Sequence, residues 1–145
     1  MVSGVNISGP QRIVLDSHAL TQLAARSTEM QHWAAAVRQS GSTFYLSAVT
    51  LAETTNGTAR DTTVRRAVSG IKIIDVTKDI GYLAGTLRAA GVSSRKKPRD
   101  LTVDALVAAT ALSLRPPVVI LTSDKSDFDL MLADKEGVRV YQLKD

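Results

Sequence analysis

Residues 101–114, LTVDALVAATALSL, are apolar nearly all round a helical projection, and Asp104 is their only acidic residue. A helix that is apolar on every side lies buried between other elements. Burying a carboxylate there is costly unless the group is neutralised or paired. Pro116-Pro117 ends the helix, and the apolar run at residues 118–121 predicts a buried strand. The stretch therefore predicts a covered sheet and identifies Asp104 as a candidate functional residue.

Short strands alternate with helices along the rest of the chain. Strands are predicted at residues 12–16, 43–46, 71–76, 118–121 and 138–141. Helices are predicted at residues 17–25, 29–39, after Ser47, around Val64, and at 77–91, 101–114 and 127–133. This order predicts a three-layer α/β/α domain with a mostly parallel central sheet of four to five strands. We expect residues 1–145 to form a single domain, with residues 1–10 as a flexible extension.

The composition excludes several classes of protein. The chain has no cysteine, which removes disulfide scaffolds, thiolate zinc sites and cysteine nucleophiles. No apolar stretch approaches the roughly 18 residues of a membrane span, and the first residues do not resemble a secretory signal, so we expect a cytoplasmic protein. Glycine-rich nucleotide-binding motifs and a Gly-x-Ser-x-Gly elbow are also absent from the sequence. The net charge of +4 favours polyanionic partners.

Two more acids lie where a parallel sheet places functional groups. Asp16 is the last residue of the first predicted strand and Asp124 follows the fourth, at the edge where the crevice of such sheets lies. Taken alone, each is more often a turn or capping residue, and Asp100 is the expected N-cap of the Asp104 helix. Glu53 lies on the helix after the second strand, where an exposed position is equally plausible.

The four acids indicate a bound cation if they lie close together in the fold. Two carboxylates repel by about 4 kcal/mol at about 4 Å and an effective dielectric constant of about 20. Protonation or a bound cation must relieve that repulsion. Carboxylate oxygen ligands suit Mg²⁺ or Mn²⁺ better than zinc, and the chain has no cysteine.

Read in order, these segments resemble PIN-domain nucleases, and more narrowly the VapC-type ribonuclease toxins of bacterial toxin–antitoxin pairs. The resemblance spans nearly the whole chain. Its segments are Ile13-Val-Leu-Asp16-Ser, Leu46-Ser-Ala-Val-Thr-Leu-Ala-Glu53, Ile74-Asp-Val-Thr77 with the Ala84-Gly85 helix, Asp104-Ala-Leu-Val-Ala-Ala-Thr-Ala111, and Leu121-Thr-Ser-Asp124-Lys-Ser-Asp127-Phe.

The resemblance implies a catalytic and metal-binding role for Asp16, Glu53, Asp104 and Asp124. Asp127 matches a further, less regular acidic position. A small polar residue is common where this chain has His18, a departure that concerns the local packing and not the nearby acid Asp16.

The implied activity is that of an endoribonuclease. One or two Mg²⁺ or Mn²⁺ ions would activate water to hydrolyse RNA, leaving a 5′-phosphate and a 3′-hydroxyl. The implied partners are a small antitoxin that occludes the acidic crevice and a second copy of the chain.

Neighbouring polar residues could support this chemistry. Thr122 and Ser123 could hydrogen-bond the carboxylates, although ordinary turn roles are equally open. Four cations precede the Asp104 helix and could contact RNA phosphates, or could simply be solvated: Arg95, Lys96, Lys97 and Arg99.

Two alternative functions remain open from the sequence. The first is a PIN-family nuclease that acts in RNA maturation or on DNA without an antitoxin. The second is a non-catalytic nucleic-acid-binding module in which the acids are structural.

Overall fold

A computed structural model describes residues 5–91 and 98–144. The strands are β1 (Arg12–Leu15), β2 (Thr43–Ser47), β3 (Lys72–Ile74), β4 (Val118–Thr122) and β5 (Val138–Gln142). The helices are α1 (Ser17–Ala24), α2 (Thr28–Ser40), α3 (Ala48–Thr54), α4 (Asp61–Ala67), α5 (Lys78–Ala90), α6 (Thr102–Ser113) and α7 (Lys125–Met131). Two 3₁₀ turns, Val68–Gly70 and Pro98–Leu101, precede β3 and α6.

The five strands form one sheet in the order β3-β2-β1-β4-β5, and every neighbouring pair is parallel. The predicted fold class is therefore confirmed. From the central strand β1 the chain first builds outward to β3, then crosses over to β4 and β5 on the other side. The direction of winding reverses between β1 and β4, and parallel sheets open their functional crevice at such a switch point.

Helices cover both faces of the sheet because the inner strands alternate their side chains between two apolar layers. On β1, Val14 points to the layer formed with α5, α6 and α7, whereas Ile13 and Leu15 point to the layer formed with α1, α2 and α4. On β4, Ile120 lies in the same layer as Val14, and Leu121 lies in the same layer as Ile13 and Leu15. Strands buried on both faces read as continuous apolar runs, which explains the sequence of β1 and β4.

Three local predictions were wrong. The third strand covers only Lys72–Ile74, and Val76 beyond it is exposed. The 3₁₀ turn Pro98–Leu101 precedes α6 and Leu101 takes the N-cap position, so Asp100 is not the cap. Helix α7 begins at Lys125, two residues earlier than expected, which places Asp124 at its N-cap position.

The beginning of the described chain contacts the core. Val5 and Ile7, inside the segment expected to be a flexible extension, pack against the layer that contains Trp33. Among the residues that the structure describes, no helix combines the length and the apolar character needed to cross a bilayer.

Gly137, which leads into β5, should not tolerate a side chain. Its φ is +87°, and a Cβ atom there would lie 2.9 Å from Cγ of Pro116. We expect Gly137→Ala to lower the free energy of unfolding by about 1–2 kcal/mol for the left-handed backbone alone, with the contact adding to this loss. Gly70→Ala is the matched control, since a Cβ at Gly70 meets nothing within 4 Å. Equal midpoints for the two variants in chemical denaturation would contradict this account.

Candidate metal centre

Three aspartates converge at the carboxyl edge of the sheet. One carboxylate oxygen from each of Asp104, Asp124 and Asp127 lies within 4.8 Å of the others. Asp127 is buried, whereas Asp104 and Asp124 are half-buried. The structure thus brings together two of the four acids first predicted from the sequence, together with the less regular Asp127.

The surrounding helices place these carboxylates and partly offset their charge. Asp104 lies in the first turn of α6 and Asp127 in the first turn of α7. The amino-terminal end of a helix carries a partial positive charge, which stabilises a nearby carboxylate by about 0.3–1 kcal/mol. Asp124 comes between the end of β4 and the start of α7. Two helix starts and one strand end therefore meet at the cluster.

The donor set fits a small divalent cation. The cluster offers only carboxylate oxygens, the ligands that Mg²⁺ and Mn²⁺ prefer, and the chain has no cysteine that would favour a softer metal. Three ionised carboxylates at this separation repel strongly, and a cation relieves that repulsion. Asp104, Asp124 and Asp127 are thus the described residues best placed to hold such an ion.

Asp16 lies outside this group of three and has a structural role of its own. Its backbone N–H donates to the carbonyl of Leu121 (3.2 Å), and its Oδ1 accepts from the N–H of Ala19 (2.8 Å), which caps α1. Burial raises the pKa of Asp16 above its usual value of 3.8. Hydrogen bonds from the Thr122 hydroxyl and Ala19, and the nearby His18, oppose that rise.

Thr122 connects Asp16 to the loop that holds Asp124. Its side chain is fully buried, its hydroxyl bonds the Asp16 carboxylate, and its Oγ1 accepts from the N–H of Asp124 (2.9 Å). A hydroxyl both donates and accepts, so one Thr122 side chain satisfies both contacts. Ser123, the other residue predicted to support the carboxylates, has an exposed side chain.

The structure does not bring Glu53, the last of the four predicted acids, into the cluster. Glu53 is exposed near the end of α3 and lies outside the group of three, so its role stays a prediction. Arg95, Lys96 and Lys97 lie outside the described residues. Arg99 belongs to the 3₁₀ turn before α6, and its contact with RNA stays a prediction.

Another buried acid, Asp61, was not singled out from the sequence. Its carboxylate accepts hydrogen bonds from the backbone N–H groups of Asn56 (3.0 Å) and Gly57 (2.8 Å). Asp61 therefore holds the turn between α3 and α4, a role that a lone Asp after Asn-Gly does not reveal in sequence.

A cavity of about 840 Å³ lies away from the three aspartates, between α1, α2 and α4. Its apolar lining includes Phe44 and Ile71, and its charged lining is Arg26, Arg38 and Arg66. None of the predicted acids lines it, so the cavity and the carboxylate cluster are separate features of the surface.

The buried charge of Asp16 should destabilise the fold at neutral pH. Since burial raises its pKa, the folded state retains this proton at higher pH than the unfolded state does, and stability falls as pH rises through that interval. Asparagine keeps an oxygen for the cap but has no charge. We therefore expect Asp16→Asn, in chelator at pH 7, to unfold at higher denaturant concentration than the wild type.

Two observations test the origin of that effect. The advantage of Asp16→Asn should vanish near pH 3, where the wild-type carboxyl is protonated in both states. Asp16→Ala, which also removes the cap of α1, should be less stable than Asp16→Asn by about 1 kcal/mol. A wild type more stable than Asp16→Asn at pH 7 in chelator would contradict the assigned burial penalty.

Comparison with known proteins agrees with this architecture. The PIN domain family matches residues 13–131. Similar solved structures include VapBC2 from Rickettsia felis bound to a DNA fragment from their promoter (TM-score 0.66, 12% identity, 92% of this chain and 99% of that chain). A toxin–antitoxin complex from Klebsiella pneumoniae is also similar, with a TM-score of 0.59 and 23% identity over 90% of this chain and 99% of that chain. FitAB bound to an IR36 DNA fragment has a TM-score of 0.60 and 19% identity over 90% of this chain and 94% of that chain. No curated protein sequence matches. The chain belongs to the PIN domain family.

Proposed function

We propose that this protein is a divalent-metal-dependent endoribonuclease and the toxin of a VapBC-type toxin–antitoxin pair. The observation that carries the proposal is the convergence of Asp104, Asp124 and Asp127, with oxygens within 4.8 Å, beside the switch point of a parallel sheet. Membership of the PIN domain family supports the nuclease activity.

The chemistry follows from what such a cluster can bind. Asp104, Asp124 and Asp127 would hold one or two Mg²⁺ or Mn²⁺ ions, with Asp16 as a further candidate ligand. When bound, such an ion lowers the pKa of water and offsets the charge on a phosphodiester. The protein's own part is to hold mutually repelling carboxylates together, and the hydrogen bonds of Thr122 contribute by connecting the Asp16 and Asp124 segments.

RNA as the substrate rests on the resemblance to VapC-type toxins and on the charge of the chain. The net charge of +4 includes the acids of the cluster, so the rest of the chain is more basic than that figure. A basic surface attracts a polyanion and strengthens phosphate contacts that do not depend on sequence.

An antitoxin is the proposed protein partner. Two of the similar structures are described as a VapBC2 assembly and a toxin–antitoxin complex, which supports a partner of that kind. The cavity between α1, α2 and α4 has an apolar lining and three arginines, features that suit a partner segment bearing apolar and acidic side chains. A homodimer is proposed from the resemblance alone.

Removing one carboxylate of the cluster should abolish cleavage. We expect the wild type to cut a mixed RNA pool with Mg²⁺ or Mn²⁺ but not with chelator, and Asp104→Asn to be slower by at least about 100-fold, since a catalytic metal contributes several kcal/mol. Asp134→Asn is the matched control because Asp134 is exposed and outside the cluster. The products should carry 5′-phosphates.

The same assay separates the competing functions. Cleavage of single-stranded DNA in preference to RNA of the same sequence would favour the DNA nuclease. Equal cleavage by wild type and Asp104→Asn in every condition, or products with cyclic phosphates, would overturn the metal-dependent mechanism. RNA binding without any cleavage would favour the non-catalytic module.

The hydroxyl of Thr122 should matter for the pH dependence of cleavage. Its hydrogen bond lowers the pKa of Asp16, so Thr122→Val should raise that pKa further and move the acidic limb of the rate profile to higher pH. Losing a residue that orients a metal site reduces activity by about 10–100-fold. Thr110→Val is the matched control, because Thr110 is fully buried and its hydroxyl donates within α6, to the carbonyl of Leu106. Superimposable pH profiles for the two variants would refute the connecting role of Thr122.

A further inference from the structure

Gln142, the last residue of β5, reaches across to the loop that carries Asp124. Its Oε1 accepts from the backbone N–H of Lys125 (3.0 Å), and its Nε2 donates to the carbonyl of Ser123 (2.8 Å). The same Nε2 also donates to the carbonyl of Leu143 (2.9 Å), which holds the amide against its own strand. One side chain therefore binds the backbone on both sides of Asp124.

These contacts require an amide. The Lys125 N–H needs an acceptor and the Ser123 carbonyl needs a donor, and the glutamine amide offers both at a fixed spacing. A carboxylate would accept but not donate, and an ammonium group would donate but not accept. The two partners also define the orientation of the amide. If it were flipped, its NH₂ group would face the Lys125 N–H and its oxygen would face the Ser123 carbonyl.

The bond between Gln142 and Lys125 caps the start of α7, which the Asp124 side chain does not do. Asp124 occupies the N-cap position of α7, where an aspartate side chain commonly accepts from the first turn, yet its side chain makes no capping hydrogen bond. Gln142 supplies an acceptor for one of the first N–H groups of the helix instead. The start of α7 is thus anchored to β5 through a side chain distant in sequence.

This anchor bears directly on the acid cluster, because Asp124 precedes α7 and Asp127 lies in its first turn. Repulsion among the three carboxylates favours movement of this segment away from Asp104. Bonds that hold the segment in place reduce the reorganisation that an incoming cation must drive, and so strengthen its binding.

We propose that Gln142 is a positioning residue for the metal site: its amide fixes the Ser123–Lys125 backbone and thereby sets Asp124 and Asp127 relative to Asp104. The inference rests on the proposed function, since it assumes that these carboxylates hold a metal.

The test measures Mn²⁺ binding by isothermal titration calorimetry on the whole chain. Gln142→Met keeps the length of the side chain but removes both polar groups, and we expect it to bind Mn²⁺ about ten-fold more weakly, within the range for residues that orient metal ligands. In RNA cleavage, the Mn²⁺ concentration for half-maximal rate should rise by a similar factor. The rate at saturating Mn²⁺ should return to the wild-type value, which a lost ligand such as that in Asp104→Asn would not allow.

Arg139→Met provides a matched control on the same strand. Arg139 is exposed, and its side chain bonds Gln11 (3.3 Å), outside the acid cluster. If weak Mn²⁺ binding in Gln142→Met arose only from a loosened β5, Arg139→Met would show the same loss. Should Gln142→Met fail to fold, Gln142→Thr replaces it, because threonine is favoured in strands and is too short to reach both partners.

The outcomes are distinct. Wild-type Mn²⁺ affinity in a folded Gln142 variant, or an equal loss in Arg139→Met, overturns the positioning role and leaves the proposed nuclease intact. Absence of Mn²⁺ binding and cleavage in the wild type overturns the proposed function itself, and the role of Gln142 with it.

Discussion

The mutual repulsion of Asp104, Asp124 and Asp127 is the constraint on which the rest of the functional edge depends. Carboxylates with oxygens within 4.8 Å of one another separate unless the backbone holds them. Here the backbone is held by two helix starts, by the pairing of β4 with β1 and β5, and by polar side chains beneath the loops. The hydrophobic layers on both faces of the sheet provide the rigid base for these contacts.

Much of the fold could be predicted because its strongest signals are local in sequence. The all-round apolar character of α6 requires a covered sheet, and the alternation of strands with helices predicts parallel pairing. Parallel pairing then places the residues after β1 and β4 at one edge, which is why Asp16 and Asp124 were identified. Asp104 stood out because a lone carboxylate interrupts an otherwise apolar helix.

The remaining features depend on contacts that join distant parts of the chain. Nothing in the sequence around Gln142 relates it to Ser123 and Lys125, since the relation exists only once β5 pairs with β4. The early start of α7 has the same origin, because the N–H of its first residue, Lys125, donates a hydrogen bond to Gln142 of β5. Likewise, the spacing of Asp16 and Glu53 from the other acids depends on loop geometry. Periodicity therefore identifies the candidate acids but not which of them share a cluster.

The position of β5 in the chain order has a consequence for biosynthesis. All three clustered aspartates, and Asp16 and Glu53 as well, precede β5 in the sequence. A nascent chain that has emerged from the ribosome only as far as α7 thus has all five of these acids but neither the Gln142 amide nor the Leu143 N–H, which donates to the carbonyl of Thr122 (2.7 Å). Its acidic edge is incomplete until β5 joins the sheet. Addition of that strand is therefore the folding step at which the edge acquires its final geometry.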